Sequence, residues 1–101
     1  MITDYAKIRR EEARLVILKA LAEQTNETLS SSMLEPVLAT FAIHEERPWI
    51  HQQLEYLKTM DAITVIEAGS VKIATLTDHG RRHVDRHIAI EGVKRPSRPG
   101  A

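Results

Sequence analysis

Three histidines, His79, His83 and His87, recur four residues apart, a spacing that stacks them along one face of a helix. Two imidazoles placed that way can share a metal ion. The chain has no cysteine, so Asp78 or a second subunit would have to complete such a site. The competing reading is a solvated or phosphate-facing stripe. Arg81, Arg82 and Arg86 are interleaved with these histidines, and their guanidinium forks suit phosphate oxygens. They equally suit a solvated face beside Val84 and Ile88, an apolar pair that would then dock a second subunit. A further group of hydrogen-bonding side chains, Arg47, Trp49, His51 and Gln52, gathers around Pro48 and Ile50. Arginine can bond guanine through two donors and glutamine can bond adenine. Trp49 also lies seven residues from Tyr56, on the same helical face, which suits packing or a dimer contact. Gln52 and His51 also fit plain solvated positions. Catalytic signatures are lacking: no glycine-rich phosphate loop, no nucleophile elbow and no paired carboxylates at a distinctive spacing. Neither an enzyme nor a cofactor is expected.

These groups sit in a chain of 101 residues, enough for one modest core. Its composition is globular, 43% hydrophobic and 28% charged. No run is long and apolar enough for a membrane span, and the N-terminus does not resemble a signal peptide. With no cysteine, a reducing, cytoplasmic setting and no membrane partner are expected. The formal net charge is zero, which argues against attachment to nucleic acid by bulk charge alone. Its distribution is uneven. Residues 1–78 hold eight Lys/Arg against twelve Asp/Glu, a net of −4, and residues 79–101 hold six against two, a net of +4.

Periodicity supplies the elements. Thr3 or Asp4 can cap a first helix over about residues 4–25, with Ile8, Leu15, Leu18 and Ala22 on its apolar stripe and Asn26 as a left-handed stop. Thr28 and Leu29 read as a short link. Ser32 and Glu35 fit a capping box that opens a second helix over about 33–43, with Pro36 at its fourth position. Pro48 opens a third helix, with Ile50, Leu54 and Leu57 inward, and Asp61 ends it. The period then changes to alternation: strands at 63–67 and 71–76 flank Ala68, Gly69 and Ser70. Thr77 caps a fourth helix that Gly92 ends. The expected organisation is one domain over 1–92 and a flexible basic tail over 93–101.

Three helices, a two-stranded hairpin and a closing helix, in this order, have the layout of a winged helix-turn-helix: mainly α, with the hairpin as wing. The stripe Ile50, Leu54, Leu57, Ile63, then the hairpin, then Leu76-Thr77-Asp78-His79-Gly80-Arg81, resembles the ArsR/MarR/PadR-like winged-helix superfamily. Members carry a similar recognition-helix stripe and an L-T-x-x-G step into the last helix. The whole sequence is similar to a small winged-helix family of Mu-like phages and prophages. The resemblance implies a dimeric DNA-binding protein, a (pro)phage or bacterial transcriptional regulator bound to double-stranded DNA. Arg47, Trp49, His51 and Gln52 would then lie in the major groove, with Lys72 on the wing and Arg81, Arg82 and Arg86 at the backbone. It equally admits a winged helix used as a protein-interaction module in a phage assembly or packaging complex. Glu45, Glu46 and Glu55 lie on or beside the third-helix surface, where they would repel phosphates.

Overall fold

The computed structural model describes residues 4–98. Among them run seven elements: α1 (Tyr5–Glu23), β1 (Thr28–Ser30), α2 (Ser31–Thr40), α3 (Arg47–Thr59), β2 (Ile63–Ala68), β3 (Val71–Leu76) and α4 (Asp78–Val84). The result is a mixed α/β domain of four helices and one three-stranded antiparallel sheet, ordered β1-β3-β2. None of the helices described is long and apolar enough to cross a membrane.

Asp4 caps α1 by accepting the Lys7 backbone N–H; Thr3, the alternative cap, lies outside the described residues. Ala13, Ile17, Leu18 and Leu21 of α1 are fully buried against Leu34 and Leu38 of α2 and Ile50, Leu54 and Leu57 of α3. Burying each large aliphatic side chain contributes about 1.5–3 kcal/mol, so these three stripes hold the helices together. The sheet closes the core with Ala74, Leu76 and Ile63. Gly80, the glycine of the L-T-x-x-G step, sits where a Cβ would run into the Ala62 carbonyl oxygen. Only a bare α-carbon lets α4 start this close to the entry of β2.

Several expectations change. The link at Thr28 and Leu29 is a strand: Thr28 pairs with Thr75, Leu29 with Ala74 and Ser30 with Ile73. Three residues are too few for a readable period, and the free edge of β3 supplies the partner. The hydroxyl that caps α2 belongs to Ser30, which accepts the Met33 N–H, so the Ser32–Glu35 capping box does not form. The helix therefore starts at Ser31, and Pro36 falls inside it rather than in its first turn. Glu27, not Asn26, takes the left-handed conformation after α1, with φ 56°, while Asn26 accepts the Thr28 N–H. The largest correction is at α4, which ends at Val84 rather than Gly92. Arg86 turns left-handed at φ 65°, its N–H reaching the His83 carbonyl and that of His87 the Arg82 carbonyl.

This paired closure, a Schellman motif, also ends α2 at Ala42 (φ 63°) and α3 at Asp61 (φ 61°). Three helices thus stop on non-glycine residues in a region that costs about 1–2 kcal/mol for a side chain, which is why no glycine marks the stops. The chain beyond α4 is docked, not loose. Ile90 and Val93 are buried, and the Lys94 N–H donates to the Glu11 carbonyl. The expected tail from residue 93 is therefore held on the body as far as Pro96, whose carbonyl accepts from Arg86; residues 99–101 lie outside the described part.

Ala42 is exposed, so Ala42→Gly removes strain without removing packing. Set against the extra freedom of an unfolded glycine, the net gain is about 0.5–1 kcal/mol. A melting curve should show Tm higher by roughly 4 °C; a lower Tm would mean that the left-handed turn is not strained.

Candidate functional site: the third helix and the hairpin

Helix α3 buries Ile50, Gln53, Leu54 and Leu57 and turns Pro48, Gln52, Glu55 and Thr59 to solvent. The hairpin packs beside it on a single small hinge. Ser31 is fully buried at the start of α2. Its hydroxyl accepts the Lys72 backbone N–H of β3 at 3.1 Å and meets His51 Nε2 of α3 at 2.9 Å. One oxygen thereby ties α2, α3 and the hairpin, with its own proton free to go to the imidazole. At the outer end, the Lys72 ammonium lies 3.0 Å from Glu55 of α3 and 3.5 Å from Glu67, its cross-strand neighbour. The hydrogen bond to Glu55 is the main reason Lys72 holds its proton above the ordinary lysine range, with Glu55 correspondingly below the carboxylate one. Both stay charged.

The residues expected to read DNA take different places. Arg47 donates to Ser70 in the hairpin loop at 3.1 Å. Trp49 is half-buried against the core, with the Arg9 guanidinium 5.9 Å from its ring centroid, so it is not a free aromatic. Arg9 in turn pairs with Glu45 at 3.1 Å. His51 is half-buried on Ser31. Gln52 alone of this group is exposed and makes no hydrogen bond among the described residues. Lys72 is committed to two carboxylates. Away from this face, Arg81 is paired with Glu27 and reaches the Ala22 carbonyl, and Arg86 holds the Pro96 carbonyl at 2.9 Å. Arg82 is exposed. Val84 and Ile88, considered as a docking stripe for a second subunit, are half-buried on the core of their own chain.

The histidine stripe does not form. His79 and His87 are exposed, but α4 stops before His87. His83 is fully buried, its Nδ1 accepting the Ile90 N–H and its Nε2 donating to the Lys94 carbonyl, both at 2.9 Å. With both nitrogens used, it has none for a metal. Among the described residues no three His, Asp or Glu side chains converge where an ion could sit.

Gln53 is buried and Arg14 half-buried, and their pairing across the fold is not visible in the sequence. Gln53 accepts the Arg14 Nε–H at 3.0 Å and donates to the Trp49 carbonyl. Arg14 stacks on the Tyr56 ring at 3.7 Å and donates to the Gly92 carbonyl. Together with the Tyr56 hydroxyl, which donates to the Glu91 carbonyl at 2.7 Å, they fasten the C-terminal segment to α1 and α3. Gly92 is needed here, since a Cβ would collide with the Tyr56 hydroxyl.

Outside this helix face, alternation along the strands sorts the sheet into two sides. Leu29, Ala74, Val65, Ile63 and Leu76 face the helices. The other side carries Thr28, Thr75 and Thr64 in one row, Ser30, Ile73 and Ile66 in the next, and Val71 opposite Ala68. None is charged, and Ile66 is 66% exposed.

Removing the Ser31 hydroxyl strands the Lys72 N–H and the His51 ring. Ser31→Ala should therefore lower unfolding free energy by about 1–3 kcal/mol, read from the urea midpoint; an unchanged midpoint would show that the hinge is dispensable. His51 is held below its ordinary value of 6.5, by burial first and then by Lys72 and Arg47. The unfolded chain consequently takes up this proton before the folded one, and stability falls as pH drops below about 6.5. His51→Gln should flatten that slope in melts between pH 7 and pH 5.

No protein-family model matches this chain, and no solved structure matches it. It is 33% identical over 101 residues to an uncharacterized protein, gp26, of Escherichia phage Mu, a match spanning 100% of each chain. The chain belongs to the family of phage Mu gp26.

Proposed function

We propose that this chain is a phage or prophage winged helix-turn-helix module that works as a protein-docking adaptor, with α2 and α3 as the helix-turn-helix and β2–β3 as the wing. The reading rests on the uncharged outer side of the sheet, which carries the exposed Ile66 in a chain that is 28% charged. An uncharged sheet face of threonines, Ser30 and aliphatic residues, with Ile66 exposed on it, suits a protein contact better than a phosphate backbone. β2 is also an edge strand, so an extended aliphatic segment of a partner could pair along it as well as pack on Ile66. The cation budget of the α3 face supports the same view. The hairpin offers one lysine, and Glu55 and Glu67 neutralise it, leaving little to attract a phosphate backbone.

A second reading, sequence-specific recognition of double-stranded DNA by a transcriptional regulator, draws on Gln52, which is exposed on the outward side of α3 and free to bond adenine. Selection of duplexes from a random-sequence pool separates the two. The docking reading expects no enriched sequence and no change of any residual binding with Gln52→Ala. Enrichment of one sequence, abolished by Gln52→Ala, would overturn it in favour of base recognition.

A further inference from the structure

The ion pairs among the described residues engage Arg9, Lys72 and Arg81. The cations left without a carboxylate include a concentrated set beyond the middle of α4: Arg82, Arg86, Lys94, Arg95 and Arg98, all exposed. Asp85 and Glu91 are the acidic residues interspersed with them. Arg86 and Arg95 both line a cleft of about 250 Å³ together with His87, Ile88, Ala89 and Pro96. Four of these five cations are arginines, whose planar forks match phosphate oxygens in a way a lysine does not.

This ridge is held in place. His83 ties the Ile90 N–H to the Lys94 carbonyl, Arg86 holds Pro96, and Ile90 and Val93 are buried beneath it. As far as Pro96 the backbone is already ordered, so binding there costs side-chain freedom but not the chain ordering that a loose basic tail would have to offset. No Phe, Tyr or Trp lines the cleft, whose one aromatic ring is that of His87, so the ridge suits the backbone better than a run of stacked bases.

We propose that the ridge from Arg82 to Arg98 binds the phosphate backbone of nucleic acid without regard to sequence. This is separate from the docking role of the sheet and α3 and gives the module two faces, one for protein and one for nucleic acid.

The test is fluorescence anisotropy of a labelled mixed-sequence duplex with the full chain, between 50 and 200 mM salt. Each phosphate neutralised contributes about −0.9 to the slope of log affinity against log salt, so a slope of about −3 to −4 is expected. The triple variant Arg82→Gln, Arg95→Gln, Arg98→Gln alters only exposed side chains that make no hydrogen bond among the described residues. It leaves the Arg86–Pro96 contact intact, and its melting curve should match that of the parent. It should weaken binding at least tenfold at 50 mM salt and make the slope shallower by about 2 to 3. Lys58→Gln, on α3, should change neither. No binding at 50 mM salt, or a triple variant that binds like the parent, would overturn the proposal. Loss with Lys58→Gln instead would move the contact to α3 and count against the docking reading as well. Competition by polyglutamate as strong as by duplex at equal charge would reassign the ridge to acidic protein.

Discussion

A single hydroxyl sets the geometry of the face that matters most. Ser31 is fully buried where α2 begins, and its oxygen serves a backbone N–H of β3 and an imidazole of α3 together. A two-stranded hairpin is marginal in water, and here its inward side must be seated on the helices at a fixed angle. Apolar packing of Val65, Ala74 and Leu76 presses the sheet onto the core but is not directional. The Ser31 bonds are directional, and the Glu55–Lys72–Glu67 bridge repeats the connection at the surface. The surface bridge is worth little energy by itself. Its consequence is electrostatic: the cation of the hairpin is spent on holding the hairpin to α3.

The same logic distributes charge over the molecule. Arg9 is placed over Trp49 and against Glu45, Arg14 over Tyr56, and Arg81 against Glu27. These cations act as fasteners between elements that are distant in sequence. Beyond α4, the fastening uses no carboxylate: the His83 ring, Arg14 and Arg86 on backbone carbonyls, and the apolar Ile90 and Val93. The arginines of that segment therefore remain outward and unneutralised. A chain of zero net charge thus presents one self-neutralised face and one basic ridge, and its total charge describes neither.

Much of this was legible in the sequence because local signals and tertiary packing agree. The stripe of α3, that of α1 from Leu15 onward, the alternation of β2 and β3, and Thr77 as the α4 cap are each fixed by neighbours within a few residues. Ile8, expected on the α1 stripe, lies exposed with the rest of the first turn. β1 was not legible, since three residues become a strand only when β3 offers an edge. The helix stops at Ala42 and Arg86 were hidden because a left-handed alanine or arginine has no compositional mark. His83 and Gln53 carried a usable signal, each a polar residue set among apolar positions that turn inward, but the partners that satisfy them, Lys94 and Arg14, lie far away in sequence. The functional surface was the least legible part. Arg47, Trp49, His51 and Lys72 have the residue types of a DNA-reading helix and wing, and only three-dimensional pairing reveals that each is already engaged.

The most direct test of this partition is residue-resolved. The amide spectrum of the isotope-labelled chain can be followed by NMR during titration with a mixed-sequence duplex at low salt. The account predicts shifts confined to the segment from Arg82 to Arg98, with Gln52, Glu55 and the hairpin loop at Gly69 and Ser70 unmoved. Shifts centred on Gln52 and the hairpin loop, with the Arg82–Arg98 segment silent, would contradict it.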